Sequence, residues 1–273
     1  MCKLFLSFEY PNSKKLLKDF LRKGNDEHLE YGYGISWHSE IWNTYKCNCF
    51  HISDTNNKKI LKEIDSKIIL GHIRNIYHEN MTPEQICNEL KIENVHPFQH
   101  KNYLFMHHGD LFLEYKNNLN NYQLGHNDKE FKNVMKSIIK HISPEFKTQI
   151  KGKTDSEIMF YLLLSIQKLL MQNQNQDEKT AIINSFYILN NILDSYHLSN
   201  SSNIVFTNNN YIFIAKIYKN NSTKKLKNPD LFIDTKNGIL ISNYKLMNKM
   251  NSVEKNMLYI IEINTSVIEG YKL

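Results

Sequence analysis

The chain holds 273 residues, 41% hydrophobic, 12% aromatic and 23% charged, with a formal net charge of +6. That apolar share excludes disorder throughout and suffices for one sizeable core. No apolar run reaches the ~18 residues of a membrane helix, the first apolar stretch is too short for a secretion signal, and the mild charge lacks the concentrated stripe a nucleic-acid role would want. The expectation is a cytoplasmic protein with neither membrane nor nucleic acid as partner. Four cysteines (Cys2, Cys47, Cys49, Cys87) show neither CxxC spacing nor disulfide density, as in a reducing compartment. Nine Gly and two Ala beside abundant Asn, Lys and Ile are what AT-rich codons produce, so each glycine that remains is informative.

In chain order, residues 2–8 alternate as a strand, and 12–23 place Leu16, Leu17, Phe20 and Leu21 at helical spacing after Pro11. Residues 35–37 and 46–52 read as short strands, with Cys47 and Cys49 side by side on the second. Residues 68–74 form an apolar run ending in a charge, as a buried strand does on reaching a site. Thr82 caps a short helix over 83–90 with Pro83 in its first turn, and 103–106 is another strand. Helices follow over 128–140, 154–171 and 179–196; Thr154-Asp155-Ser156-Glu157 has the residue types of a capping box. The polar stretch 172–176 reads as a loop. Strands over 203–207, 211–218, 238–242 and 257–263 make the end of the chain β-rich. Helices mixed with antiparallel strands indicate an α+β or layered arrangement in one domain over 1–273.

Chemistry begins at Cys2. A small second residue favours removal of the initiator Met, leaving a cysteine whose own α-amine, with a pKa near 8, can serve as base for its thiol. Further segments follow in order: Tyr31-Gly32-Tyr33-Gly34-Ile35-Ser36-Trp37, Gly71-His72-Ile73-Arg74, Asn94-Val95-His96-Pro97-Phe98, Leu104-Phe105-Met106-His107-His108-Gly109-Asp110-Leu111, and Gly152-Lys153-Thr154-Asp155-Ser156-Glu157. This series resembles the class II glutamine amidotransferases, the N-terminal-nucleophile family, in their short stand-alone type without a synthase domain. The resemblance runs from residue 2 to about 218, with the motif segments in 2–157 and the β-rich end after about 200.

The resemblance implies an N-terminal-nucleophile hydrolase fold, an αββα sandwich of two antiparallel sheets between helical layers. It implies Cys2 as nucleophile on the side-chain amide of glutamine or on a γ-glutamyl bond, through a γ-glutamyl thioester. Arg74 falls on the position that binds the substrate carboxylate, suiting its planar fork, and Asp155 on the position that pairs with the ammonium. His72, Asn94 and His96 fall behind these as supports. The family's oxyanion donors are an Asn side chain and the following Gly amide in an HNG turn; here His108 replaces the Asn and Gly109 is retained. A neutral imidazole donates one N–H, an imidazolium two. Tyr31 and Tyr33 replace the usual Asp and Trp. The resemblance implies either that ammonia passes to a separate synthase subunit or that the enzyme simply cleaves γ-glutamyl bonds, as some stand-alone members do. The alternative is a catalytically silent relative that binds glutamine or a protein. No cofactor or metal is expected, because the histidines match no zinc spacing.

Overall fold

In the computed structural model, residues 2–26, 31–48, 55–76, 81–117, 120–124, 128–220 and 229–273 are described. The first part of the chain runs β1 (Lys3–Phe8), α1 (Ser13–Asp26), β2 (Tyr33–His38), β3 (Trp42–Cys47), α2 (Thr55–Glu63), β4 (Ile68–Ile73), α3 (Pro83–Glu89), β5 (Phe98–His100), β6 (Tyr103–Asn117) and β7 (Asn120–Leu124). Then come α4 (Lys129–Ile139), α5 (Pro144–Lys147), α6 (Asp155–Gln174), α7 (Glu178–Ser195), β8 (Leu198–Thr207), β9 (Tyr211–Lys219), β10 (Phe232–Asp234), β11 (Ile239–Ser242), β12 (Asn251–Ser252), β13 (Met257–Glu262) and β14 (Ile268–Lys272). Cys49 and the end of the strand expected over 46–52 lie outside the described residues.

The chain forms two compact units, one of Met1–His108, Val205–Asn209 and Pro229–Glu254, the other of Gly109–Ile204, Asn210–Asn228 and Lys255–Leu273. The first unit contains an antiparallel sheet ordered β12-β10-β11-β1-β4-β2-β3. β1 is therefore central, and apart from Lys3 its residues are all buried, as a strand covered on both faces requires. Its register sets Leu4 against His72 and Lys3 against Ile73 on β4. Helix α1 supplies Leu17, Phe20 and Leu21 to the core around Phe5, Tyr33, Ile73 and Tyr244, with the Phe5 and Phe20 rings 5.4 Å apart. The Tyr244 hydroxyl donates to the Phe20 carbonyl at 2.8 Å, so the aromatic body is buried and its polar tip satisfied.

The second sheet is ordered β14-β13-β9-β8-β6-β5, with β7 paired to β6. In the second unit α6 packs on α7, α4 and α5. Thirteen consecutive residues of α6, Asp155 to Gln167, are buried, the mark of a helix enclosed on every side. α6 extends past the expected boundary to Gln174 and stops at Asn175, whose left-handed backbone (φ 49°) lets its N–H donate to the Leu170 carbonyl. The loop expected at 172–176 therefore shrinks to residues 175–177. No helix among the described residues is long and apolar enough to cross a membrane.

Candidate active site

In the first unit, the ends of β1, β2 and β4 bring three of the sequence motifs together. Cys2, half-buried, precedes β1; its Sγ lies 3.4 Å from both the backbone N and O of Asn75, donating to the O and accepting from the N–H. Asn75 follows Arg74, whose backbone N–H donates to the Gly32 carbonyl at 2.7 Å. Gly32 sits at φ +109°, where a Cβ would meet the Cys47 carbonyl oxygen at 2.7 Å, so glycine is required at this turn. The register that pairs Lys3 with Ile73 carries Cys2 and Arg74 off the same end of the sheet.

Arg74 is buried, its side chain 6% exposed, and among the described residues its guanidinium is engaged by Glu89. Nη1 donates to the Glu89 carbonyl and Nη2 to its Oε2, both at 2.5 Å. Asn94, also buried, donates its Nδ2 to the Asn88 and Glu89 carbonyls at 3.2 and 3.3 Å. Arg74 and Asn94 thus converge on the last turn of α3. Nothing in the sequence marks Glu89. Its position is set by the fold of the segment between the two motifs, and no spacing rule points to it.

The buried histidines form a stack. The His72 and His96 rings lie 4.1 Å apart, and Phe98 meets His96 edge-on at 4.5 Å. His72 Nε2 lies 3.0 Å from the His107 carbonyl. Burial, the largest cause, pushes His72 down to about 3 and holds His96 and His108 well below the usual histidine range. His72 is therefore neutral at pH 7 and donates through Nε2–H. His108 is neutral too, so it has one N–H to donate rather than the two of an imidazolium. Among the described residues, no group of three or more His, Cys, Asp or Glu could hold a metal ion.

The tight turn expected at Gly109 is absent. Residues 107–110 continue through β6, because their backbone pairs across the sheet. Gly109 serves a close approach instead: a Cβ there would meet the Ser201 carbonyl oxygen at 2.1 Å and the Ser202 Cα at 2.7 Å. β8 opposite is unusual for a buried strand, since Ser199, Asn200, Ser201, Ser202 and Asn203 are all 0–2% exposed. Ser199 Oγ donates to Glu114 Oε1 at 2.6 Å, and the Ser202 hydroxyl donates to Asn200 Oδ1. Hydrogen bonds of this kind offset the cost of burying such a polar run.

Asp155 opens α6 in the second unit. It is 6% exposed, and its Oδ1 accepts from the Ser156 N–H at 2.7 Å and the Ser156 hydroxyl at 3.3 Å. Thr154 caps the helix by accepting from Glu157 N–H at 3.2 Å. The Glu157 carboxylate accepts from the backbone N–H of Lys151 and Gly152, at 3.0 and 2.7 Å. The motif therefore orders its own preceding loop and presents Asp155 on a fixed helix start.

These elements define a fold class: two antiparallel sheets with helices, the N-terminal-nucleophile αββα sandwich. Within that class it is the fold of class II glutamine amidotransferase domains. A glutamine aminotransferase class-II domain protein from Silicibacter pomeroyi matches at TM-score 0.61 and 16% identity, covering 99% of this chain and 99% of its own. The glutamine phosphoribosylpyrophosphate amidotransferase of B. subtilis, solved with ADP and GMP, matches at 0.62 and 13% identity, over 100% of this chain and 49% of its own. An allosteric regulatory enzyme of purine biosynthesis matches at 0.62 and 14%, over 99% of this chain and 49% of its own. The chain thus spans about half the length of the latter two. No family model and no curated protein sequence matches. At these identities the likeness establishes the fold.

Proposed function

We propose that the protein hydrolyses the side-chain amide of glutamine, or a γ-glutamyl bond, with Cys2 as nucleophile. The observation that carries this reading is the place of Cys2: at the head of the central strand β1, its thiol against Asn75 and its residue level with Arg74. After loss of Met1, the α-amine takes the thiol proton and Sγ attacks the amide carbon. The tetrahedral oxyanion collapses with the C–N bond breaking, and the amine leaves with the proton. Water then cleaves the thioester, releasing glutamate and restoring the thiol. Arg74 binds the substrate α-carboxylate, Asp155 the α-ammonium, and the Gly109 amide with the single His108 N–H the oxyanion. His72, Asn94 and His96 act as supports behind the residues of the first unit. The whole chain, 1–273, acts as one glutamine amidotransferase domain of the cytoplasm. Either its product ammonia passes to a separate synthase subunit, or it simply cleaves γ-glutamyl bonds and releases the amine; the chemistry calls for no cofactor.

Intact mass should show Met1 removed, and the purified protein should release glutamate from glutamine or a γ-glutamyl peptide. A glutamine-analogue electrophile should label Cys2, and Cys2→Ala should abolish both labelling and turnover. Retention of Met1 would sink the mechanism. His108 supports a second reading, a silent glutamine-binding or protein-interaction module, because a neutral buried imidazole stands where the family has a carboxamide. Equal inertness of wild type and Cys2→Ala, with glutamine still raising Tm, would establish that reading.

A further inference from the structure

The proposed role of Arg74 meets an obstacle in its surroundings, and this inference rests on that role. Arginine cannot shed its charge, and a buried guanidinium without a counter-charge is costly. Here the counter-charge is Glu89, with Nη1 on its carbonyl and Nη2 on its carboxylate. Glu89 itself is 29% exposed, so its side chain reaches solvent where the Arg74 side chain, 6% exposed, hardly does. α3, which it ends, buries none of its residues, and its last turn is held through Arg74 and Asn94. A carboxylate arriving at Arg74 therefore meets one already there. It is attracted by the guanidinium and repelled by Glu89, the situation of two carboxylates sharing one site.

We infer that Glu89 is a specificity-determining residue: it shares Arg74 with the substrate and sets how strongly the site takes an α-carboxylate. Two of the five guanidinium N–H groups point to Glu89, so an incoming carboxylate either joins Glu89 on the fork or displaces it. In both cases the Glu89 charge weakens binding of anionic substrates relative to neutral ones. A role in merely positioning Arg74 makes the opposite prediction, since losing the positioning group would weaken carboxylate binding.

Glu89→Gln separates the two. KM for glutamine should fall about five-fold with kcat unchanged, the size of one partly exposed charge pair. KM for glutamine α-amide, which lacks the carboxylate, should not move. Added glutamate should raise Tm more in Glu89→Gln than in wild type, and this arm needs no turnover. Glu89→Asp, which keeps the charge on a shorter stem, should fall between. A glutamine KM that is unchanged or higher in Glu89→Gln, with the glutamate shift no larger, overturns the inference. An inert wild type that still binds glutamate ends the amidase reading while the Tm arm decides Glu89. A wild type indifferent to the α-carboxylate ends the role of Arg74 and this inference together.

Discussion

Helices α3 and α6 start alike and end in opposite circumstances. Each has a threonine N-cap, Thr82 or Thr154, accepting from the backbone N–H three residues on at 3.2 Å. In α3 the box closes, since Gln85 Oε1 accepts from Thr82 N–H at 2.8 Å, yet no residue of the helix is buried. In α6 the corresponding Glu157 serves the loop at Lys151 and Gly152 instead, while the first thirteen residues of the helix are all buried. A complete local cap thus accompanies a helix that buries none of its residues. Where packing already fixes a helix, its third residue is free for other work.

This contrast can be broken by measurement. Phe160→Ala, at a fully buried position of α6, should cost about 3–5 kcal/mol in urea denaturation. A cost below about 1 kcal/mol would mean that burial does not hold this helix.

Acid should act next, on the packed parts rather than on α3. His72, His96 and His108 are held neutral in the fold by burial, with His72 pushed down to about 3. Below the ordinary value near 6.5 the unfolded chain binds protons that the folded chain refuses. Their contribution is therefore complete above pH 6.5 and is lost as pH falls toward the folded values, by about 1.4 kcal/mol per pH unit for each histidine. His96→Gln should flatten the pH dependence of unfolding between pH 6 and 4.5; an unchanged slope would show that His96 does not titrate this way.

Smaller effects should separate the two N3 positions. Glu157→Ala strands the Lys151 and Gly152 N–H groups and should cost about 2 kcal/mol globally. Gln85→Ala, the equivalent change in α3, should cost about 0.5 kcal/mol, seen as faster amide exchange over residues 84–89 with the global midpoint unmoved. Leu169→Gln, on the exposed face of α6, should stay within about 0.5 kcal/mol in either direction.

Much of the fold was legible wherever periodicity and local chemistry agreed. Thr82 with Pro83 located α3, and the apolar run ending at Arg74 located β4, because caps and buried strands write themselves into adjacent residues. The length of β6 was not legible: only Tyr103 to Met106 read as strand, since His107-His108-Gly109-Asp110 is polar and carries a glycine. What extends it is the backbone approach of Ser201 and Ser202, a contact across some 90 residues that no local pattern encodes. β8 began late in the sequence reading for the same reason, as a run of Ser and Asn resembles a loop until its partners are known. At the candidate site, Cys2 and Arg74 stood out by their chemistry and the order of their motifs. Glu89 did not, because a glutamate at a helix end is unremarked until the guanidinium that grips it is seen.

The seating of β1 also bears on when the thiol strand can form during synthesis. Leu4 N–H donates to Asn243 Oδ1 at 2.7 Å, Asn243 N–H returns to the Leu4 carbonyl at 3.3 Å, and β11 pairs along β1 from Phe5 to Phe8. One flank of the strand that follows Cys2 is therefore made of residues translated some 235 positions later. Until they emerge from the ribosome, β1 has β4 on one side and an open edge on the other. Such distant pairing is slow to form, because the loop closure must come before the contacts that repay it. Cys2, among the first residues translated, is among the last to acquire its setting.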